Sequence, residues 1–327
     1  MDELIKNAKH HFYFNVAEGV WGMKDIFVNV YMIQNLNNDK WVLVDTGLKT
    51  SAPKIKKMAA KLFGEDSKPE AIILTHGHFD HVGSLTTLAE EWNVPVYAHY
   101  LELPYLTGKS SYPPPDPSVG GGLMSYISGI YPNKPIDISG DIYALPQDGS
   151  VPGLDDWRYI HTPGHAPGHI SLFRDEDRVL IAGDAFVTTV QESAFAVMTQ
   201  KKKVSGPPAY FTYDWPAASD SVRKLKLLNP EVVATGHGKP MYGKEMRKEL
   251  HNMQEHFYEN VVPHRGRYVN EPAVVDANGV LYIPSRNHNP YVKWFIVGGL
   301  IVLTATALII AGGKQLKKKK QFRINFG

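Results

Sequence analysis

The chain has 327 residues, 43% hydrophobic and 21% charged, with a formal net charge of +2, enough for one large or two small core-bearing domains. The absence of cysteine excludes disulfides, thiolate-ligated zinc, iron–sulfur clusters and a cysteine nucleophile. Lys314, Lys317, Lys318, Lys319, Lys320 and Arg323 hold six positive charges with no acid among them; subtracting these from +2 leaves −4, so the body lacks a basic footprint and no nucleic-acid partner is expected.

Met1 to Phe14 carries charges and no apolar stretch of signal-peptide length, so no cleavable leader is expected. Phe27 to Ile33 and Lys40 to Val44 read as strands joined by a turn at Asn37-Asn38-Asp39. Ser51 is placed to cap a helix with Pro53 in its first turn, and Ile55, Met58, Ala59, Leu62 and Phe63 follow at helical spacing up to Gly64. Ala71 to Leu74 reads as a buried strand, Gly83 to Trp92 as a helix and Val94 to Ala98 as a strand. This alternation predicts a layered α/β arrangement. Tyr105 to Ser150, rich in proline and glycine, reads as a loop inserted over a site.

Beyond it, Trp157 to Ile160 resumes as a strand, and Ile170 to Phe173 with Arg178 to Ile181 predicts a hairpin. Trp215 to Leu228 reads as a helix, Glu231 to Ala234 as a strand, Gly243 to Tyr258 as an amphipathic helix, and Val274 to Ile283, around Asn278-Gly279, as a hairpin.

Four strand ends terminate in metal-type ligands: His76, His78, Asp80 and His81 after the first, then His165, Asp184 and His237. Alternate residues at an extended strand end point the same way, so His76 and His78 can bind one ion while Asp80 and His81 face a second. Imidazole with carboxylate suits zinc, iron or manganese.

His76-x-His78-x-Asp80-His81, Thr-Pro-Gly-His165, Gly-Asp184 and Gly-His237, in that order and preceded by Asp45-Thr46-Gly47, resembles the metallo-β-lactamase-fold hydrolases over roughly residues 12–262. The resemblance implies an α/β (α+β) fold, an αββα four-layer sandwich, with two divalent metal ions, zinc foremost, at one edge. It implies that His76, His78 and His165 hold one ion and Asp80, His81 and His237 the other, that Asp184 bridges, and that Asp45 and His169 stand behind the ligands. His99 and His161 are expected to be structural. Metal-activated hydroxide would then cleave an ester-like bond of a small-molecule substrate, with Asp80 as the catalytic acid–base group. Thr162 to Ser171 is similar to the same stretch of N-acyl homoserine lactonases and glyoxalase II-type thioesterases, so a lactone or thioester is expected. A non-heme iron redox enzyme and a vestigial membrane-anchored binding protein of the same fold are the alternatives.

Trp294 to Ala311 is an uncharged run of 18 residues, roughly 27 Å as a helix and close to the thickness of a bilayer core. The expected organisation is therefore a hydrolase domain over 1–285 with an insertion at 105–150, a linker at 286–293, a transmembrane helix at 294–313 and a basic tail at 314–327. The expected location is a membrane, through a single C-terminal pass into the lipid bilayer, with the catalytic domain cytoplasmic.

Overall fold

A computed structural model describes residues 13–286. The first half of that chain builds a seven-stranded sheet in sequence order: β1 (Tyr13–Ala17), β2 (Val20–Asp25), β3 (Val28–Gln34), β4 (Trp41–Val44), β5 (Ala71–Ile73), β6 (Val96–Ala98) and β7 (Ile142–Ala144). Neighbours from β1 to β4 are antiparallel, and those from β4 to β7 are parallel. The parallel part needs crossovers. Helices α1 (Ala52–Phe63) and α2 (Leu85–Trp92) supply the first two. Ser51 sits at the start of α1 without capping it; its hydroxyl donates to Asp25 and accepts from the Leu48 N–H.

The segment expected as one loop is partly ordered. It holds the end of α3 (Leu103–Leu106), a short helix α4 (Leu123–Ile127) and the edge strand β7. The second half builds a six-stranded sheet from β8 (Ser150–Val151), β9 (Leu154–His161), β10 (Ile170–Arg174), β11 (Val179–Ile181), β12 (Val232–Ala234) and β13 (Met241–Tyr242), in the order β13-β12-β11-β10-β9-β8. Only β11 and β12 pair in parallel there. Short helix α5 (Ala194–Thr199) and helix α6 (Trp215–Leu227) lie between them in sequence, and α7 (Gly243–Glu255) and α8 (Phe257–Asn260) follow β13. A final hairpin, β14 (Val274–Asp276) and β15 (Gly279–Tyr282), stands where the Asn-Gly signal predicted it.

Three apolar clusters define the layers. Ile33, Val42, Val44 and Ile73 of the first sheet pack on Trp157, Leu172, Val179 and Ile181 of the second. Ile55, Met58, Leu85 and Leu88 cover the outer face of the first sheet, and Trp215, Val222, Leu225, Met246 and Leu250 that of the second. Helix, sheet, sheet and helix thus follow in order. Strands buried on both faces read as continuous apolar runs, as in β4 and β5.

The expected transmembrane helix over 294–313, with its basic tail, lies outside the described residues. Among the described residues no helix is long and apolar enough to cross a membrane. The longest, α6 and α7, have 13 residues each, about 20 Å of rise, and both carry charged residues along their length. The expected fold is therefore corrected to the mixed α/β sandwich alone. The bilayer partner and the membrane location with a cytoplasmic catalytic domain are withdrawn with the helix on which they rested.

Candidate metal centre

The strands β4, β5, β9, β11 and β12 all run toward one edge of the sandwich, and each releases its ligand-type residues just past its last paired position. His76, His78, Asp80 and His81 follow β5, His165 follows β9, Asp184 follows β11 and His237 follows β12. All seven are buried. Their polar atoms gather in three sets, His76/His78/His165, His76/His81/Asp184 and Asp80/His81/His237, each with ligand atoms within 4.8 Å of one another.

Asp184 lies between the first and third sets. Its Oδ2 stands 3.5 Å from His165 Nε2, 3.7 Å from His81 Nε2 and 3.0 Å from His237 Nε2. On the near side His78 Nδ1 and His165 Nε2 approach to 3.0 Å. On the far side Asp80 Oδ2 lies 3.6 Å from His237 Nε2.

Two further ring nitrogens are held from outside the sets. His81 Nδ1 meets Asp45 Oδ2 at 2.8 Å, and His237 Nδ1 donates to the Phe27 carbonyl at 2.7 Å. Asp45 also accepts from the Thr75 N–H and hydroxyl, and its backbone has a φ of 61°. That left-handed geometry, which Asp tolerates better than most residues, is a local strain kept at the site.

His169 is not in any of the three sets. Its Nε2 accepts from the Asp184 N–H at 2.8 Å and its Nδ1 lies 2.8 Å from the Thr162 hydroxyl, so both nitrogens are engaged and the ring supports Asp184 from behind. His99 and His161 stack on each other at 4.0 Å and, like His169, sit outside the three sets.

Charge follows burial and neighbours. Burial, then the adjoining histidines, hold His76 and His165 well below the ordinary imidazole value, and burial takes His78 down to about 3. These rings are neutral and offer lone pairs, as metal coordination requires. Burial pulls His81 downward as well, but Asp45 and Asp184 together outweigh it and raise it. Burial acts to raise Asp184, yet His237 and His81 prevail and keep it an ionised carboxylate. His76 Nε2, His81 Nε2 and Asp184 Oδ1 are buried and meet no hydrogen-bond donor or acceptor. Leaving such atoms unmatched costs about 1–3 kcal/mol each. A divalent cation of the kind imidazole and carboxylate prefer would satisfy all three, so the donor set fits a metal.

Sequence reasoning did not find the ring of aromatics around this cluster. Phe211 stacks on His78 at 4.6 Å, and Phe79, Tyr131 and Phe211 stand 5.6–6.3 Å from one another. Tyr131 comes from the 105–150 segment. Burial, with a contribution from Asp80, pushes its phenol up to about 12.

An αββα sandwich with a histidine–aspartate cluster at one sheet edge defines a metal-dependent hydrolase acting on a small-molecule substrate. The chain belongs to the metallo-beta-lactamase superfamily, whose family model matches residues 23–237. It is 51% identical over 238 residues to the probable metallo-hydrolase YflN of Bacillus subtilis, covering 72% of this chain and 90% of that one. It is 29% identical over 119 residues to the hydroxyacylglutathione hydrolase GloC of Haemophilus influenzae, covering 36% of this chain and 50% of that one. A beta-lactamase domain protein from Burkholderia ambifaria shares the fold, with a TM-score of 0.51 at 20% identity over 75% of this chain and 76% of that one.

Proposed function

We propose that this hydrolase works with two divalent ions, zinc by the character of its donors, and cleaves an ester-like bond in a lactone or thioester. The observation that carries the reading is the position of Asp184, with one carboxylate oxygen within 3.7 Å of ring nitrogens on both sides of the cluster. His76, His78 and His165 would hold one ion, Asp80, His81 and His237 the other, and Asp184 both. When bound, such ions act as Lewis acids that lower the pKa of coordinated water to about 7 and polarise the bond under attack.

The residues of the chain supply the rest. Asp45 holds a proton on His81 Nδ1 by accepting its hydrogen bond, so the proton that a metal would displace is the one on Nε2. His169 fixes the loop that presents Asp184. Asp80 reaches the same space as His237 Nε2 and orients the attacking water, then carries a proton toward the leaving group. Phe79, Tyr131 and Phe211 exclude solvent and form an apolar bed for the acyl part of the substrate. The name of the GloC relative, a hydrolase of a glutathione thioester, supports this class; its match covers half of that chain.

The test is a hydrolysis screen of the zinc-loaded protein on lactones, thioesters, phosphodiesters and β-lactams, with metal analysis and a His78→Ala control. We expect two ions per chain, turnover of a lactone or thioester, and joint loss of metal and activity in the control. Full turnover by His78→Ala would remove the assigned site.

A further inference from the structure

We propose that Glu102 is a positioning residue that sets the spacing between the two histidine loops, and thereby the affinity of one metal position and not the other. Glu102 closes a short 3-10 turn, Tyr100–Glu102, just past β6. It is completely buried and touches none of the ligands. Its Oε2 accepts from the Gly77 N–H at 2.8 Å, in the middle of His76-Gly77-His78. Its Oε1 accepts from the Gly168 N–H at 2.6 Å, in the loop that runs from His165 to His169. The Tyr112 hydroxyl donates to Oε2 as well, and the Tyr112 ring stands edge-on to His78 at 4.6 Å. One carboxylate therefore ties the loop after β5 in the first sheet to the loop after β9 in the second.

The fit leaves no slack. A Cβ at Gly168 would stand 2.8 Å from Glu102 Cγ and 2.9 Å from its backbone nitrogen, and a Cβ at Gly77 would stand 2.6 Å from the Tyr112 hydroxyl. A buried acid is also a poor choice for stability alone, because an apolar side chain of similar volume avoids desolvating a charge. Burial indeed pushes this carboxyl up to about 7. What the acid provides is two acceptors aimed in different directions. The set His76, His78 and His165 draws ligands from both tied loops. The set Asp80, His81 and His237 draws on only one of them.

The inference rests on the two-ion reading above, and cobalt(II) titration of the metal-free protein separates the two. Each binding step is followed by d–d absorption and by metal stoichiometry. In E102Q the side chain keeps its size, but its amide nitrogen must face a backbone N–H, so one tie breaks. We expect wild type to take up two ions, and E102Q to show one step weakened about 10- to 100-fold, the range for residues that orient ligands, with the other within about 3-fold. G168A, which keeps the Glu102 carboxylate but forces the loop and Glu102 apart at the Cβ contact, should weaken the same step and provides a second route should E102Q fold poorly. Both steps unchanged, or both weakened alike, in either folded variant would overturn the brace. Fewer than two ions in wild type would sink the two-ion reading and the brace with it.

Discussion

The replacement of Asp45 by asparagine isolates one proton. Asp45 Oδ1 accepts from the Thr75 N–H at 2.8 Å, while Oδ2 faces the Thr75 hydroxyl at 2.7 Å and His81 Nδ1 at 2.8 Å. In D45N the oxygen that serves the Thr75 N–H can remain, which turns an NH2 group toward His81. The threonine hydroxyl rotates and accepts. His81 Nδ1 can accept only if the proton of the neutral ring sits on Nε2, the buried atom that stands 3.7 Å from Asp184 Oδ2 and has no hydrogen-bond partner. A protonated Nε2 has no lone pair for a metal. If the amide turns the other way instead, a hydrogen bond to a charged group is lost, about 1.5–3 kcal/mol. Either route costs about 2 kcal/mol, or roughly 30-fold in affinity at that position. Competition for zinc against a chelating dye should show one step weakened by that factor and the other retained. The weakened step should differ from the one affected in E102Q, since His81 and the braced set His76/His78/His165 belong to different sides of the cluster. Wild-type zinc affinity in Asp45→Asn would refute the tautomer argument; loss of the same step in both variants would refute the division of ligands.

Three further outcomes follow from the geometry. Tyr131→Ala removes a ring from the aromatic bed, an interaction of about 1 kcal/mol, so KM should rise roughly 5-fold with kcat nearly constant; steady-state kinetics on the substrate found by screening checks this. Gly164→Ala places a Cβ 2.4–2.6 Å from the Ala218 backbone and side chain of α6, at a φ of +128°, and should cost about 2–4 kcal/mol by urea denaturation. Burial, then His161, lowers His99 to about 4, below its unfolded value, so the unfolded chain binds more protons between those limits. The neutral His99 therefore contributes fully above about pH 6.5 and loses its contribution as pH falls toward 4, on the order of 1–2 kcal/mol after solvent screening. Urea midpoints of His99→Asn should fall less steeply than wild type over that range.

The alternation of β4, α1, β5, α2 and β6 was legible because each strand is a short apolar run and each helix repeats at 3.6. The ligand-type residues were legible for the same reason, since strand ends announce where His76, His165, Asp184 and His237 emerge. The hairpin of β1 and β2 was missed. Tyr13–Ala17 has a mixed burial pattern and Gly22 interrupts the next strand, so neither shows clean alternation. The 105–150 segment misled by composition: its prolines and glycines concealed an edge strand, and Tyr131 reaches the cluster only through tertiary packing. Glu102 has no sequence signature at all. Its importance lies in two backbone N–H groups 91 positions apart, and no local pattern records that meeting.

The ties between the sheets also bear on how the chain folds. The Asn29 side chain donates to the Thr235 carbonyl across 206 positions, and the Tyr31 hydroxyl donates to the same oxygen across 204. Those contacts place the loop of His237 against the middle of β3, and they join residues from opposite ends of the domain's sequence. Closing so large a span is entropically costly and slow. The first half of the chain can therefore present His76, His78, Asp80 and His81 while the cluster is still incomplete. A metal that demands both halves binds the docked state and shifts the population toward it by mass action. Metal uptake would then mark the end of folding rather than guide its beginning.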